Sequence, residues 1–399
     1  MRFTFKLSVR EHSYLAALMI VIMERTLLKG IDWQDAFLPL VGISTLFLDA
    51  LVILLLAVSF MADVMNRGRW FHLAVILVMG LLTVSTVITQ ENKLIYSVVF
   101  IFLARDIPFI RIVRLFYRTA LCSLIVLILA QAVGFTNPST RDLEYSLGYS
   151  MGMSHPNGFA STVTVMLFSW AYLHRWQRRF TVFLTVVAVA FLTYWYTISR
   201  TALVISLVYC PALVLYDLLN RFHIGRAVKI IRLGFAALLV SSVWLMLNSE
   251  AVFEYLGFQR DSGFSALLSA LNRFVNASAL YEQNGLHLFG SYIEFRSLRV
   301  ALLTNQEAVI LDSAYLYLVI SQGIMATVIM FWLFAQSMRA QIRQKQYVLL
   351  ITMGVFLLSG LMERFVLDST MNFTLLSAFS ALEEDKPAGE NGLPYDPAV

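Results

Sequence analysis

Residues 37–60 read FLPLVGISTLFLDALVILLLAVSF, and Asp49 is the only charge among them. As a helix this run is about 36 Å long at 1.5 Å per residue, enough to cross a hydrocarbon core of roughly 30 Å. Its apolar residues do not alternate with polar ones, so it is not a strand of a transmembrane barrel. The run predicts a membrane-spanning helix. Similar runs recur at 13–29, 70–89, 94–104, 117–134, 157–173, 180–198, 201–216, 233–248, 313–336, 347–363 and 368–382. Segments 94–104 and 368–382 are short for a span and are expected to be tilted, buried or re-entrant.

Composition agrees with this reading. Of the 399 residues, 59% are hydrophobic and 14% charged, against about 25% charged in soluble domains. A soluble enzyme, a disulfide scaffold and a disordered chain are excluded. Cys122 and Cys210 both lie within apolar runs and read as small core residues. The net charge of +5 points to basic cytoplasmic loops, with no call for nucleic acid as a partner. The first run contains Glu24 and Arg25 and lacks a cleavage site after it, so it reads as a retained span. The expected fold is an all-α integral membrane protein of about 11–12 transmembrane helices. Residues 1–382 form a single polytopic domain, and the acidic tail 383–399 reads as disordered.

Basic residues set the orientation. Arg2, Lys6 and Arg10 precede the first span and place the N-terminus in the cytoplasm. Alternation then puts Arg67/Arg69, Arg105–Arg118, Arg175–Arg179, Arg221–Arg232 and Arg339–Lys345 on the same side, and these outnumber the cations opposite. The alternation needs segment 94–104 as a span. One large outer loop, 249–311, separates two strong spans. Within it Phe264, Leu267, Leu268, Leu271, Phe274 and Val275 share one face at 100° per residue, which predicts an amphipathic helix lying on the membrane or capping the bundle.

The sequence has no P-loop, no HExxH and no dinucleotide-binding glycine fingerprint, so coupling to an attached ATPase domain is excluded. Six histidines without a cysteine cluster argue against a metal site. The candidate chemistry is a set of polar residues at outer span ends, where ionisable groups are costly unless used.

Gly152-Met153-Ser154-His155-Pro156-Asn157-Gly158 reads either as a helix-opening turn or as His155 and a helix N-terminus facing an anion. In Thr197-Ile198-Ser199-Arg200-Thr201, Arg200 either snorkels or clamps a phosphate with its guanidinium fork. Arg273 lies opposite the apolar face of the loop helix, and Arg296 and Arg299 follow in the same loop. Two or three such arginines can hold a pyrophosphate without metal. Asp312 is placed as a helix cap or as a general base. Glu363, Arg364 and Asp368 close a span, with an internal salt bridge as the simplest reading.

The order of these strings resembles the Wzy-type repeat-unit polymerases of bacterial O-antigen, exopolysaccharide and capsule, relatives of the O-antigen ligases. The strings are His155-Pro156-Asn157, Ser199-Arg200-Thr201, Asn272-Arg273-Phe274, Leu288-Phe289-Gly290 and Asp312-Ser313-Ala314-Tyr315-Leu316 with Gly323. The resemblance covers roughly 145–375. It implies a membrane glycosyltransferase of polysaccharide biosynthesis in the bacterial plasma (inner) membrane. Such an enzyme transfers a growing undecaprenyl-pyrophosphate-linked glycan onto the next lipid-linked repeat unit at the outer face, inverting the anomeric carbon.

It further implies no cofactor and no metal. The lipid-linked oligosaccharide and the bilayer would be its partners, with a chain-length regulator and a flippase as further candidates. Arg200 and Arg273, with Arg296 and Arg299, would grip the pyrophosphate. Asp312 would be the base, with Glu363 and His155 behind it. Asn157, Ser199 and Tyr315 complete the strings. The related ligases commonly carry His where this chain has Asp312, and the polymerases often have Asn where Ser313 stands. Two other activities fit the same composition: a ligase moving finished glycan to its acceptor, and a flippase or transporter. A flippase is expected to carry polar residues through the middle of many spans.

Overall fold

The computed structural model describes residues 2–65, 69–137, 148–175, 179–222, 224–255, 266–296 and 309–382. Among them every regular element is helical, and pairing of extended backbone is limited to isolated bridges. The helices are α1 (Arg2–Met23), α2 (Leu38–Val64), α3 (Arg69–Thr89), α4 (Lys93–Leu103), α5 (Phe109–Val133), α6 (Pro156–Leu173), α7 (Arg179–Thr197), α8 (Arg200–Phe222), α9 (Ile224–Leu247), α10 (Ser249–Tyr255), α11 (Ala266–Asn284), α12 (Gly323–Arg343) and α13 (Tyr347–Ser359). Among the described residues, five helical stretches are long and apolar enough to cross a membrane: Leu38–Val64, Phe71–Thr89, Phe109–Val133, Phe180–Thr197 and Ala314–Arg343. The protein is a multi-pass all-α membrane protein. On α2, Leu40, Ile43, Leu46 and Phe47 face outward, as a lipid-facing helix requires.

The two weak segments depart from simple spans. α4 has eleven residues, about 16 Å of helix, and buries Leu94, Val98, Phe100, Ile101, Phe102 and Leu103 in protein. It is an interior half-helix, so the topology that counts it as a full crossing loses that support. The buried Arg10 side chain donates to the carbonyls of Leu103 and Arg105, the open C-terminal end of α4.

Segment 368–382 is not a span. It folds as an irregular stretch with a 3₁₀ turn, Phe373–Ala378, through the core. Irregular backbone survives in an apolar interior only when its polar groups are satisfied, and buried polar side chains do this here. Ser337 Oγ donates to the carbonyls of Thr374 (3.1 Å) and Leu375 (3.0 Å), Gln341 Nε2 to Ser377 Oγ (2.9 Å), and Ser97 Oγ accepts from the Ser369 amide (3.1 Å). The segment ends by pairing Ala381 N–H with the Ile107 carbonyl at 2.9 Å.

The span after the large loop is also broken. A π-helical stretch, Tyr317–Gln322, precedes Gly323, whose φ is +89°. Backbone from 287–291 lies along this break. Ile324 and Met325 amides donate to the carbonyls of His287 (3.1 Å) and Leu288 (3.0 Å), and the Ser291 amide to Ser321 (3.0 Å). A Cβ on Gly290 would stand 2.1 Å from the Ser321 carbonyl oxygen, which is why the Leu288-Phe289-Gly290 string ends in glycine.

The loop helix is present as α11. It packs Phe274, Ala277 and Leu280 into the main core. The side chains of Leu267, Leu268 and Leu271 lie outside the described residues, as do Phe264 and the tail 383–399.

Candidate functional site

The site is built on the turn after α13. Ala314 N–H donates to the Gly360 carbonyl at 2.8 Å, Ser313 Oγ reaches the same oxygen at 3.4 Å, and Tyr315 Oη donates to the Leu357 carbonyl at 2.5 Å. A side chain at 360 would press on the Tyr315 ring, with a Cβ 3.2 Å from Cζ. The Asp312–Tyr315 string is thereby fixed against 360–363, and Asp312 stands beside Glu363. Tyr315, expected as a supporting residue, is a buried structural strut.

Arg273 reaches this turn from α11. Its Nε stands 3.6 Å from Asp312 Oδ2, and its Nη1 donates to the Met362 carbonyl. Glu363 follows, partly buried, and Thr201 at the start of α8 donates its hydroxyl to it. Burial pushes the Glu363 carboxyl up to about 7, against the pull of Arg273, and Asp312 adds to the rise. Asp312, Glu363 and Arg273, far apart in sequence, form one cluster.

His155 is the N-cap of α6, its Nδ1 accepting the Asn157 amide at 3.1 Å. This is the helix-opening role, and the ring also lies within electrostatic reach of Asp312. Desolvation by the surrounding protein lowers the imidazole pKa, and Asp312 opposes it. Asn157 contributes that backbone amide.

Ser199 is buried in the α7–α8 turn, where Ile198 has φ +53°. That turn is joined to the irregular segment before His155 by the Tyr149 amide on the Tyr196 carbonyl (2.8 Å). The strings around His155 and Arg200 are therefore neighbours. Arg200 itself is exposed and is not part of the cavity wall described next. Arg296 pairs with Glu294 at 3.3 Å, away from that wall. Arg299 lies outside the described residues.

Asp312 and Glu363 open onto a cavity of about 440 Å³, within the size range of ligand sites. Arg364 and Asp368, named with Glu363 in the sequence, also line it, whereas the lining from the N-terminal third, Glu24, Arg25, Lys29, Asp49 and Lys93, was not expected. Arg25 Nη1 pairs with Asp368, replacing the expected bridge within 363–368. The sequence signal for these residues was the Glu24-Arg25 pair inside an apolar run. Among the described residues no three His, Cys, Asp or Glu side chains converge as a metal site requires.

No family model, curated protein or solved structure matches this chain.

Proposed function

We propose that the protein is a polysaccharide polymerase of the bacterial plasma membrane. In this reading it is multi-pass with a cytoplasmic N-terminus, and the 249–311 loop and the charged cavity face outward. One observation supports the reading most: Arg273, Asp312 and Glu363 form one cluster, and its two carboxylates line a charged cavity. That constellation suits glycosyl transfer from a pyrophosphate. An acceptor sugar hydroxyl attacks the anomeric carbon of the donor glycan. The bond from that carbon to the phosphate oxygen breaks, and its electron pair leaves on the undecaprenyl pyrophosphate. The hydroxyl proton passes to a carboxylate. Direct displacement inverts the anomeric centre.

Of the two carboxylates, Glu363 suits the base role near neutral pH, because a base works best when its pKa is close to the ambient pH. Asp312, beside the Arg273 cation, keeps that guanidinium directed at the reacting centre, where developing charge is stabilised. His155 remains available to bind the acceptor.

The test is the size distribution of surface glycan in cells with and without the protein. Loss of long chains, leaving single repeat units, supports the polymerase. Long chains left on the lipid carrier and not attached to a final acceptor identify a ligase instead. Unchanged glycan overturns both.

A further inference from the structure

The cavity has a second wall that the reaction above leaves unused. Four cations line it: Arg25, Lys29, Lys93 and Arg364. Two have carboxylate partners. Arg25 pairs with Asp368, and Lys29 pairs with Glu24 at 2.6 Å and Asp49 at 3.3 Å. Lys93 and Arg364 have no carboxylate at ion-pair distance among the described residues.

Lys93 instead stands within electrostatic reach of the three other cations, with Glu91 as the opposing charge. It also opens α4, where the unpaired amides of a helix N-terminus repel a cation and attract an anion. The cavity's carboxylates Glu24, Asp49 and Asp368 are engaged by Arg25 and Lys29, so Lys93 and Arg364 are the two lining cations left to meet an anion. Arg364 is held for that purpose. Its guanidinium carbon lies 4.9 Å from the Phe295 ring centre and 5.2 Å from that of Tyr317. The aromatic faces hold the planar group and leave its N–H edge free for a bidentate partner.

We infer that Lys93 and Arg364, backed by Arg25, form an anion subsite that holds the pyrophosphate of a lipid-linked substrate. The subsite shares its cavity with Asp312 and Glu363, and Arg364 follows Glu363 directly in the chain. The identity of the substrate rests on the function proposed above, whereas the anion chemistry does not. Arg273, held by Asp312 and the Met362 carbonyl, then serves the reacting centre and is not part of this subsite.

The test is binding to the purified full-length protein in a neutral detergent. The probes are farnesyl pyrophosphate, inorganic pyrophosphate and phosphatidylglycerol. The wild type is expected to bind farnesyl pyrophosphate. Lys93→Gln and Arg364→Gln each weaken it about tenfold or more, and Arg364→Lys restores part of the loss. Arg343→Gln, an exposed cation at the end of α12, binds as the wild type does. Competition by inorganic pyrophosphate supports the subsite.

Wild-type affinity in both Lys93→Gln and Arg364→Gln overturns it. Displacement by phosphatidylglycerol at concentrations matching farnesyl pyrophosphate also overturns it, in favour of a bound bilayer lipid. If these variants lose binding while deletion leaves glycan length unchanged, the subsite stands and the polymerase reading falls. If deletion shortens glycan while the variants bind normally, the reverse holds.

Discussion

Arg273 Nε and Asp312 Oδ2 face each other at 3.6 Å. That is longer than the 2.7–2.9 Å of a tight charge-assisted hydrogen bond. The pair is aligned but open, and the guanidinium retains donors for a third group. Its second anchor is the Met362 carbonyl, one residue before Glu363. One arginine from the loop helix therefore sets the position of both carboxylates.

Replacing that arginine tests the arrangement. Arg273→Ala is expected to lower chain extension by about a hundredfold or more, in line with loss of a single stabilising donor at a reacting centre. Arg273→Lys recovers only part of it, because a point charge cannot bond Asp312 and Met362 together. The checks are glycan length in cells and the yield of membrane-inserted protein, which should stay unchanged.

The Glu363 carboxyl, with its pKa raised to about 7, gives a pH signature. A base must be ionised to accept a proton, and Glu363 is protonated below its pKa. Initial rates are expected to rise about tenfold per pH unit up to pH near 7 and then level off. Glu363→Gln should lose about a hundredfold or more in rate and flatten this limb. A rising limb that persists in Glu363→Gln would move the base role to Asp312.

Tyr315 is a structural residue, so its effect should fall on stability. Tyr315→Phe removes the hydroxyl donated to the Leu357 carbonyl and leaves that buried acceptor short of a partner. A cost of about 1–3 kcal/mol is expected. Thermal unfolding in detergent should show a lower midpoint, while the activity per folded molecule stays near the wild-type level.

Much of this was legible in the sequence, for identifiable reasons. Long apolar runs such as 37–60 declare themselves by composition, because lipid admits little else. Asp312, Glu363 and Arg273 stood out because charges next to apolar runs are rare. The interior elements were less legible. α4 and 368–382 are as apolar as spans, and composition does not separate a lipid-facing helix from backbone buried in protein. The distinguishing mark of 368–382 lies elsewhere, in Ser337 and Ser97, whose side chains bond its backbone, and in Gln341, which holds the Ser377 hydroxyl. The cavity cations Arg25 and Lys93 were missed as site residues for a related reason. Arg25 pairs with Asp368 and Lys93 shares a cavity with Arg364, both hundreds of residues away, and local pattern carries no trace of either juxtaposition.

Gly290 offers a test of the broken span. The residue has φ +89°, and any Cβ would collide with the Ser321 carbonyl. Gly290→Ala should displace 287–291 from the α12 N-terminus and expose the Ile324 and Met325 amides. Reduced thermal stability is expected, by about 3 kcal/mol or more. Faster proteolysis of the 285–296 region is the accompanying readout.

The most direct measurement is polymerisation by the purified full-length protein in liposomes given a synthetic undecaprenyl-pyrophosphate-linked repeat unit. The wild type is predicted to produce a ladder of lengthening glycans and to release undecaprenyl pyrophosphate. Arg273→Ala and Glu363→Gln, folded to the same extent, are predicted to yield almost none. Absence of a ladder from the folded wild type with the host's own repeat unit, or ladders of wild-type length from both variants, would contradict the account.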